Sequence, residues 1–370
     1  MPNVEAAPYS EVTIDAATLH AFVVAIWQAA GSEPREAKLV ADHLVEANLA
    51  GHDSHGVGMI PRYMRSCREG ELKLNSHAQL ARDAGAVLTV EGARGFGQVM
   101  ACEAMELGIE RAQKLGICAV GLRNAHHIGR IGHWAEQCAR AGLVSFHFVN
   151  VAGDPLVAPF GGIDRRFGTN PFCAAFPRPG RAPLVLDFAT SAIAAGKVRV
   201  AFNKGIDAPD GALIDRDGHA TRDPGALFGA GEHGALLAFG GATAGHKGSG
   251  LAAMCEIFAG ALSGGFTSRA DTIVTTNAIV NCMLSVIVDP AAFDAPDLQR
   301  EADGFVHWLK TTRRVDGVDD VLVPGEREDA TRGARGAHGI PIDTESWTQI
   351  VEAARSAGMP DSEIAKYRAT

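Results

Sequence analysis

Short apolar runs alternate with helix-like periodicity along the middle of this 370-residue chain. The strand-like runs occupy residues 86–90, 117–122, 143–149, 184–188 and 281–288. Helical periodicity covers residues 98–115, 133–140 and 247–262. This mixture of strands and helices predicts an α/β or α+β fold.

The two ends of the chain differ from this middle part. Apolar residues recur at helical spacing on both sides of Gly31, so residues 13–50 are predicted to form two helices. Residues 300–370 return to mixed polar and helical sequence. Because 370 residues exceed the length of a typical domain, we expect two domains or one large one.

Charge and cysteine usage exclude several classes of protein. The net charge is −9 and the Lys and Arg residues are scattered, which argues against a general nucleic-acid binder. Seven cysteines without a C-x-x-C pair indicate free thiols in a reducing compartment. No secretory signal occurs in residues 1–11, and no apolar run reaches about 18 residues. We therefore expect a cytoplasmic protein that binds neither nucleic acid nor membrane.

The usual glycine signatures of nucleotide binding are missing. No G-x-G-x-x-G motif joins a predicted strand to a predicted helix, and Gly95-Phe96-Gly97 lacks the third glycine. Gly240 and Gly245 have the separation of a P-loop, but His246 comes before Lys247. The sequence therefore predicts neither a Rossmann domain nor a P-loop.

The segment Asp53-Ser54-His55-Gly56 lies where the second predicted helix ends. A histidine can donate a proton to a developing alkoxide near neutral pH. The aspartate and serine could orient its ring, the glycine could let a ligand approach, and Arg62 could bind a carboxylate. The alternative is that His55 caps the helix, because a cation interacts favourably with the C-terminal end of a helix dipole.

A second histidine pair, His126-His127, lies between a predicted strand and a predicted helix. Functional residues are common in such loops. A zinc site with His133 is the alternative. However, adjacent residues of a strand point in opposite directions, and no carboxylate lies at ligand spacing. We expect no metal here.

Three further segments carry groups suited to a phosphorylated ligand. Gly168-Thr169-Asn170-Pro171 can present N–H and side-chain donors, or can form a tight turn. Asp187-Phe188-Ala189-Thr190-Ser191 could hold ribose hydroxyls, or could form an Asx turn and helix cap. Residues 244–250 are predicted to open the small-residue helix. Lys247 would be unfavourable there unless a bound anion offset it.

Taken together, these residues resemble the type 2 malate/L-lactate dehydrogenases. That family also includes ureidoglycolate, sulfolactate and diketogulonate oxidoreductases and piperideine-2-carboxylate reductases. The resemblance extends over about residues 13–350. It rests on six segments in order: Ser54-His55-Gly56-Val57, Arg123-Asn124-Ala125-His126-His127, Gly168-Thr169-Asn170-Pro171, Asp187-Phe188-Ala189-Thr190-Ser191, His246-Lys247-Gly248 and Val323-Pro324-Gly325-Glu326.

The resemblance implies a non-Rossmann NAD(P)-binding domain with a largely antiparallel sheet, and a helical domain built from both chain termini. On this chain the expected domains are residues 76–299, and residues 1–75 with 300–370. The resemblance further implies a homodimer with its active site between the domains. The implied cofactor is NAD or NADP.

The resemblance also implies roles for individual residues. His55 matches the proton donor and His127 a second catalytic histidine, with Ser54 and Arg62 at the substrate. Met59 departs from the pattern, because many members carry arginine there. The expected cofactor contacts are Thr169, Asn170, Asp187, Phe188, Ala189, Thr190, Ser191, His246, Lys247, Gly248, Gly325 and Glu326.

The predicted function is reversible hydride transfer between the nicotinamide and a 2-oxo or 2-hydroxy acid. One alternative is reduction of the C=N bond of a cyclic imine 2-carboxylate, which also needs a nearby acid. Another is a metal-dependent lyase or hydrolase that uses His52, Asp53, His55 and the His126-His127 pair. A binding protein without catalytic activity is the last alternative.

Overall fold

The computed structural model describes residues 11–153, 155–231, 233–272 and 278–367. The chain forms two compact units. One combines residues 1–70 with 328–370, and the other comprises residues 71–327. The first unit is therefore built from both ends of the chain.

The helices and strands include every element predicted from the sequence. The α-helices are α1 (Ala16–Ala29), α2 (Pro34–Leu49), α3 (Ile60–Arg68), α4 (Gly97–Leu115), α5 (Gly132–Arg140), α6 (Ala195–Lys204), α7 (Gly225–Phe228), α8 (Gly241–Cys255), α9 (Leu298–Lys310), α10 (Glu326–His338), α11 (Thr344–Ser356) and α12 (Asp361–Ile364). The strands are β1 (Glu11–Ile14), β2 (Gln79–Asp83), β3 (Val87–Glu91), β4 (Ile117–His126), β5 (Val144–Val151), β6 (Phe172–Phe176), β7 (Leu184–Phe188), β8 (Leu213–Ile214), β9 (Ala220–Thr221), β10 (Ala235–Leu236), β11 (Val280–Val288) and β12 (Ile340–Asp343).

In the first unit, the N-terminal and C-terminal segments of the chain pack into one hydrophobic core. β1 pairs antiparallel with β12. The buried Phe22 of α1 lies 5.5 Å from the Trp347 ring and 5.0 Å from the Tyr367 ring, measured between centroids. Aromatic pairs at these separations contribute to stability beyond the area that they bury. The helical pattern of residues 13–50 therefore reflects a face that packs against the C-terminal residues.

The second unit contains a seven-stranded sheet in the order β2-β3-β4-β11-β5-β6-β7. Among its described strands only β3 and β4 pair in parallel, and α4 forms the crossover between them. This confirms the predicted mixed fold with a largely antiparallel sheet. No helix among the described residues is both long and apolar enough to cross a bilayer.

Two features of the second unit differ from the prediction or were missed. The small-residue helix begins at Gly241, six residues before the predicted start, and continues past Cys255 as a π-helical segment, Glu256–Ala261. Gly240 precedes it with φ of 103°, a left-handed conformation that suits glycine. A small sheet in the order β10-β8-β9 was not predicted, because two-residue strands show no periodicity.

Candidate active site

His55 lies in a 3₁₀ turn, Asp53–His55, that follows α2. Its imidazole is half-buried, and the Ser54 hydroxyl oxygen lies 3.0 Å from its Nδ1 atom. This contact orients the ring, as the sequence suggested. The helix-cap interpretation is wrong for α2, because Ala50 occupies its C-cap and His55 lies beyond it in a separate turn.

Asp53 anchors the turn that carries His55. Arg335 of α10 donates to both carboxylate oxygens of Asp53, at 2.6 and 3.0 Å, and also to the backbone carbonyl of Asn48. The Asn48 side-chain amide donates to Asp53 at 2.7 Å. A bidentate guanidinium–carboxylate pair fixes orientation as well as distance. The aspartate therefore holds the loop in place.

Gly56 is required by the same loop. The Asn48 Oδ1 atom accepts the Val57 N–H at 2.8 Å. A Cβ at position 56 would lie only 2.1 Å from that oxygen. Gly56 therefore lacks a side chain so that Asn48 can pack closely against the loop. The sequence had suggested instead that this glycine lets a ligand approach.

The two residues considered for substrate binding next to this loop lie on consecutive elements. Met59 ends the 3₁₀ turn Val57–Met59 and is half-buried. Arg62 is exposed near the start of α3. Ser54, His55 and Arg62 therefore all belong to the first unit.

His127 directly follows β4 in the second unit and is buried. A Cβ on Gly97 would lie 2.2 Å from the carbonyl oxygens of both His126 and His127. Gly97 therefore lets the start of α4 approach the histidine pair. Ile128, next along the chain, donates its N–H to Asn281 Oδ1 at 3.0 Å.

The segments expected to contact the cofactor meet in the second unit. Thr190 donates its N–H to the Thr169 carbonyl at 3.0 Å and its hydroxyl to the Asn170 carbonyl at 2.9 Å. Phe239 donates its N–H to the Thr190 carbonyl at 2.9 Å. A Cβ on Gly248 would lie 2.3 Å from the Phe239 carbonyl oxygen. Backbone contacts thus bring three separate segments of the sequence into one cluster.

Asp187 has partners inside the protein. Its Oδ2 atom accepts the Gly132 N–H at 2.8 Å, at the start of α5, and lies 3.8 Å from Arg130 Nε. Arg130 is buried and also pairs with Glu136 at 2.5 Å. A carboxylate at a helix N-terminus interacts favourably with the helix dipole. Asp187 therefore joins β7 to α5 through bonds to residues distant in the sequence, and these bonds are not the local Asx turn that the sequence offered as an alternative.

Two other predicted side chains are buried and bound within the protein. Asn170 is fully buried, accepts the Val151 N–H at 3.3 Å and donates to Glu256 at 2.9 Å. The Ser191 hydroxyl donates to the Ile193 carbonyl at 2.8 Å. Thr169, Phe188 and Ala189 are half-buried at the same cluster. The buried pair shapes the loops, and the half-buried residues form their surface.

His246 and Lys247 are exposed on α8. The expectation that Lys247 lies at a helix N-terminus is wrong, because α8 begins at Gly241 and Lys247 lies in its second turn. An unfavourable position in the dipole therefore does not argue for an anion there. The His246 ring packs edge-on to Phe160, with 5.9 Å between centroids.

Gly325 and Glu326 lie beside β7. Gly325 has a φ of 95°, and the preceding Pro324 carbonyl accepts the Val185 N–H at 3.2 Å. Glu326 pairs with Lys310 at 2.7 Å and accepts the Val323 N–H at 3.0 Å. These contacts hold the start of α10 next to the strand that carries Asp187.

The metal-site alternatives gain no support from the residues described. Within those ranges, the group with ligand atoms close enough for a metal ion is Asp215, Asp217 and His219, far from both histidine segments in sequence. Asp215 already accepts the backbone N–H groups of Asp217 and His219. His52 lies 3.3 Å from Glu328, and Asp53 is paired with Arg335.

Comparison with known proteins identifies the family. A profile of the malate/L-lactate dehydrogenases matches residues 14–351. The chain belongs to the malate/L-lactate dehydrogenase family. It is therefore an oxidoreductase of a family whose members are named as dehydrogenases of hydroxy acids.

The sequences and structures of several relatives align with nearly the whole length of this malate/L-lactate dehydrogenase family member. Hydroxycarboxylate dehydrogenase B of Escherichia coli O157:H7 is 54% identical over 354 residues, covering 95% of this chain and 96% of the relative. The solved structure of a proposed malate/lactate dehydrogenase from E. coli has a TM-score of 0.92 at 53% identity, covering 96% and 98% of the two chains. The Δ1-piperideine-2-carboxylate reductase of Pseudomonas syringae pvar. tomato has a TM-score of 0.80 at 31% identity, covering 92% and 99%.

Membership in this dehydrogenase family implies a nicotinamide cofactor, and the second unit has groups that fit one. The exposed His246 and Lys247 can supply donors to a diphosphate. The half-buried Phe188 lies 5.4 Å from the Phe239 ring and offers an apolar surface nearby. The donor set thus matches an anionic and partly aromatic ligand.

Sequence reasoning missed the residues that hold this dehydrogenase's candidate site together. Asn48, Arg130, Glu256 and Arg335 carry the interactions described above, yet none belongs to a recognisable motif. Arg335 lies 282 residues from Asp53 in the sequence. No local pattern can indicate such a pair, since spacing rules operate within a single element.

Proposed function

We propose that this chain catalyses reversible hydride transfer involving a 2-hydroxy or 2-oxo acid, with His55 as the group that exchanges the hydroxyl proton. The observation that carries the proposal is the half-buried His55, oriented by Ser54 on a loop that Asn48 and Arg335 hold in place. A bound nicotinamide supplies the hydride in reduction and accepts it in oxidation. The protein's contribution is placement and proton transfer.

The proton step follows from the chemistry of the imidazole. In reduction, His55 donates a proton to the carbonyl oxygen as that oxygen becomes an alkoxide. In oxidation it removes the hydroxyl proton. A placed acid–base group contributes about 10²–10⁴-fold in rate. Ser54 at Nδ1 keeps the ring in one orientation throughout.

The remaining roles complete the proposal. Arg62 binds the substrate carboxylate, because a guanidinium offers two parallel donors to two oxygens. His127 polarises the carbonyl or relays the proton. Thr169, the segment 187–191, His246-Lys247-Gly248 and Gly325-Glu326 form the cofactor site, partly by contact and partly by shaping the loops.

The test is His55→Ala with His338→Ala as control, since His338 is exposed on α10 in the same unit. We expect the first variant to lose about 10²-fold or more in kcat while NAD(P)H binding, measured by fluorescence titration, stays unchanged. The control should keep wild-type kinetics. Near-normal turnover of His55→Ala would remove this histidine from the proton step.

Reduction of a cyclic imine 2-carboxylate is the second candidate, favoured by the similarity to the piperideine-2-carboxylate reductase. His55 would then protonate the imine nitrogen. A substrate panel separates the two proposals: 2-oxo acids and piperideine-2-carboxylate, each tested with NADH and with NADPH. The same panel determines which nucleotide the enzyme uses.

We also propose that the enzyme is a homodimer. In support, Phe305 and Trp308 are exposed side by side on α9, with 5.9 Å between ring centroids. Exposed apolar patches commonly mark protein contacts. Sedimentation velocity of the wild type should show a dimer, whereas a wild-type monomer at micromolar concentration would contradict the proposal.

A further inference from the structure

Glu256 is a buried acid that the proposed reaction does not use. It is the first residue of the π-helical segment Glu256–Ala261, and only 6% of its surface is exposed. Its carboxylate accepts hydrogen bonds from Asn150 Nδ2 at 3.0 Å, Asn170 Nδ2 at 2.9 Å and Ser268 N at 3.1 Å. Ser268 Oγ lies 2.8 Å from the carboxylate and 2.7 Å from the Arg166 carbonyl, and its single proton can serve only one of them. Short π-helical segments often occur at functional sites.

These bonds require an acceptor at both oxygens of the Glu256 side chain. Its two oxygens offer about four lone-pair positions. The three N–H partners can only donate. An amide in the place of the carboxylate would turn one of its oxygens into a donor, which would then face the Asn170 amide and the Ser268 hydroxyl. The cluster therefore depends on an acceptor at both positions.

One side of Glu256 holds the loop expected to contact the cofactor. Asn170 has a φ of 32°, which lies in the left-handed region that non-glycine residues rarely adopt. Its Oδ1 atom accepts the Val151 N–H, and its backbone carbonyl accepts the Thr190 hydroxyl. The bond from its amide to Glu256 fixes this strained residue, and through it Thr190.

The other side of Glu256 leads to the second histidine loop. Asn150 accepts the Cys282 N–H at its side chain and the Asn281 amide at its backbone carbonyl. Asn281 in turn accepts the Ile128 N–H, directly after His127. Every member of this chain of hydrogen bonds is buried or half-buried in the second unit.

We propose that Glu256 is a positioning residue that fixes the loop at Asn170 and the loop at His127 relative to each other. The proposal rests on the function assigned to these loops above. The structural basis does not depend on that function: the buried Glu256 carboxylate accepts one hydrogen bond from the Asn170 amide and one from the Asn150 amide, and these residues lead to the two loops. Loss of the acceptor should loosen both loops together.

The first test uses the protein without cofactor. In Glu256→Leu, which removes both acceptor oxygens, hydrogen–deuterium exchange should rise about tenfold or more at residues 127–129 and at 168–170, because the Asn150 and Asn170 amides both lose their acceptor. The control is Glu110→Gln, an exposed residue of α4, which should leave both regions unchanged. Unchanged exchange in Glu256→Leu, or a rise in only one of the two loops, would overturn the proposal.

The second test restores the pair. In the double variant Asn170→Asp with Glu256→Gln, the amide introduced at position 256 donates to the carboxylate introduced at position 170, and the amide oxygen still accepts from Asn150 Nδ2 and the Ser268 N–H. The bond from the Asn170 amide to the Ala252 carbonyl, at 3.3 Å, is not restored. We expect Glu256→Gln alone to raise KM for the nicotinamide nucleotide by about tenfold and to lower kcat, and the double variant to recover part of both. A double variant as impaired as the single one would contradict the donor–acceptor argument.

The two tests remain informative if one variant folds poorly. The double variant is measured by exchange as well as by kinetics, so it remains a test of the bond to Asn170 if Glu256→Leu or Glu256→Gln is unstable. Normal exchange in the double variant supports the proposal, and exchange as fast as in unfolded segments overturns it. Failure of the wild type to bind NADH or NADPH would reject the proposed function but leave the exchange result intact.

Discussion

At Gly56 a single missing methyl group allows the loop of His55 to form. The side-chain oxygen of Asn48 accepts the Val57 N–H, and its amide nitrogen donates to Asp53. A shift of Asn48 would therefore break both hydrogen bonds. The site therefore depends on residues that do no chemistry themselves. Misplacement of a catalytic group by about 1 Å can cost a large factor in rate.

Gly56→Ala should lower kcat by about tenfold or more, with a loss of about 1–3 kcal/mol in the free energy of unfolding, because the new Cβ displaces Asn48. The matched control is Gly58→Ala in the same loop, where a Cβ would meet only the Asp53 carbonyl at 4.0 Å. Kinetics and urea unfolding of both variants check this. Equal effects of the two substitutions would contradict it.

At the level of elements, long periodic segments were predictable and short or pattern-free ones were not. The run 184–188 matches β7, and residues 98–115 match α4 within one residue, because one-sided packing leaves a period in the sequence. The start of α8 has no hydrophobic period in the sequence that could predict it. Its first turns are glycine, alanine and threonine, and its position depends on packing against Phe239.

The strand β5 contains a feature that only the sheet explains. His147 is fully buried, with Ser285 Oγ 2.8 Å from its Nδ1 and Ser145 Oγ 2.9 Å from its Nε2. Desolvation by burial lowers the pKa of His147 from 6.5 to about 3. The folded protein therefore keeps this ring neutral at pH values where the unfolded chain binds a proton.

This residue should make stability depend on pH. Well above pH 6.5 the ring is neutral in both states. As pH falls from 6.5 towards 3, only the unfolded state gains the proton, so the free energy of unfolding falls by about 1.4 kcal/mol per pH unit. His147→Gln should remove about 2 kcal/mol of the loss between pH 6.5 and 5. Urea unfolding at both pH values measures it.

The control for that series is His307→Gln, an exposed position on α9. Its pH dependence should follow the wild type. If His147→Gln and the wild type lose stability in parallel between pH 6.5 and 5, then the buried imidazole is not the source of the dependence.

At the scale of the whole molecule, the first unit depends on contacts between distant parts of the sequence. β1 pairs with β12, and Arg335 holds Asp53 across 282 residues. The turn of His55 is therefore built by the N-terminal segment and secured by the C-terminal one. Bringing such segments together costs chain entropy, which the packed core must offset.

A double-mutant cycle on Asp53→Asn and Arg335→Gln should reveal this dependence. We expect each single variant to lower kcat by about tenfold, and the double variant to be little worse than either, because the two changes remove the same interaction. The measurement is kcat for all four proteins. Additive losses would show that the pair does not act through His55.

The sequence by itself determined the mixed fold, the absence of a Rossmann fingerprint and the histidine and glycine segments of the candidate site, because these depend on local periodicity and residue type. Only the tertiary structure decided what those segments contact. It showed that Gly56 packs against Asn48 and that Lys247 lies in the second turn of α8. It also gave Asp187 partners in α5 and revealed Glu256 and Arg335, because contacts between distant residues leave no local pattern.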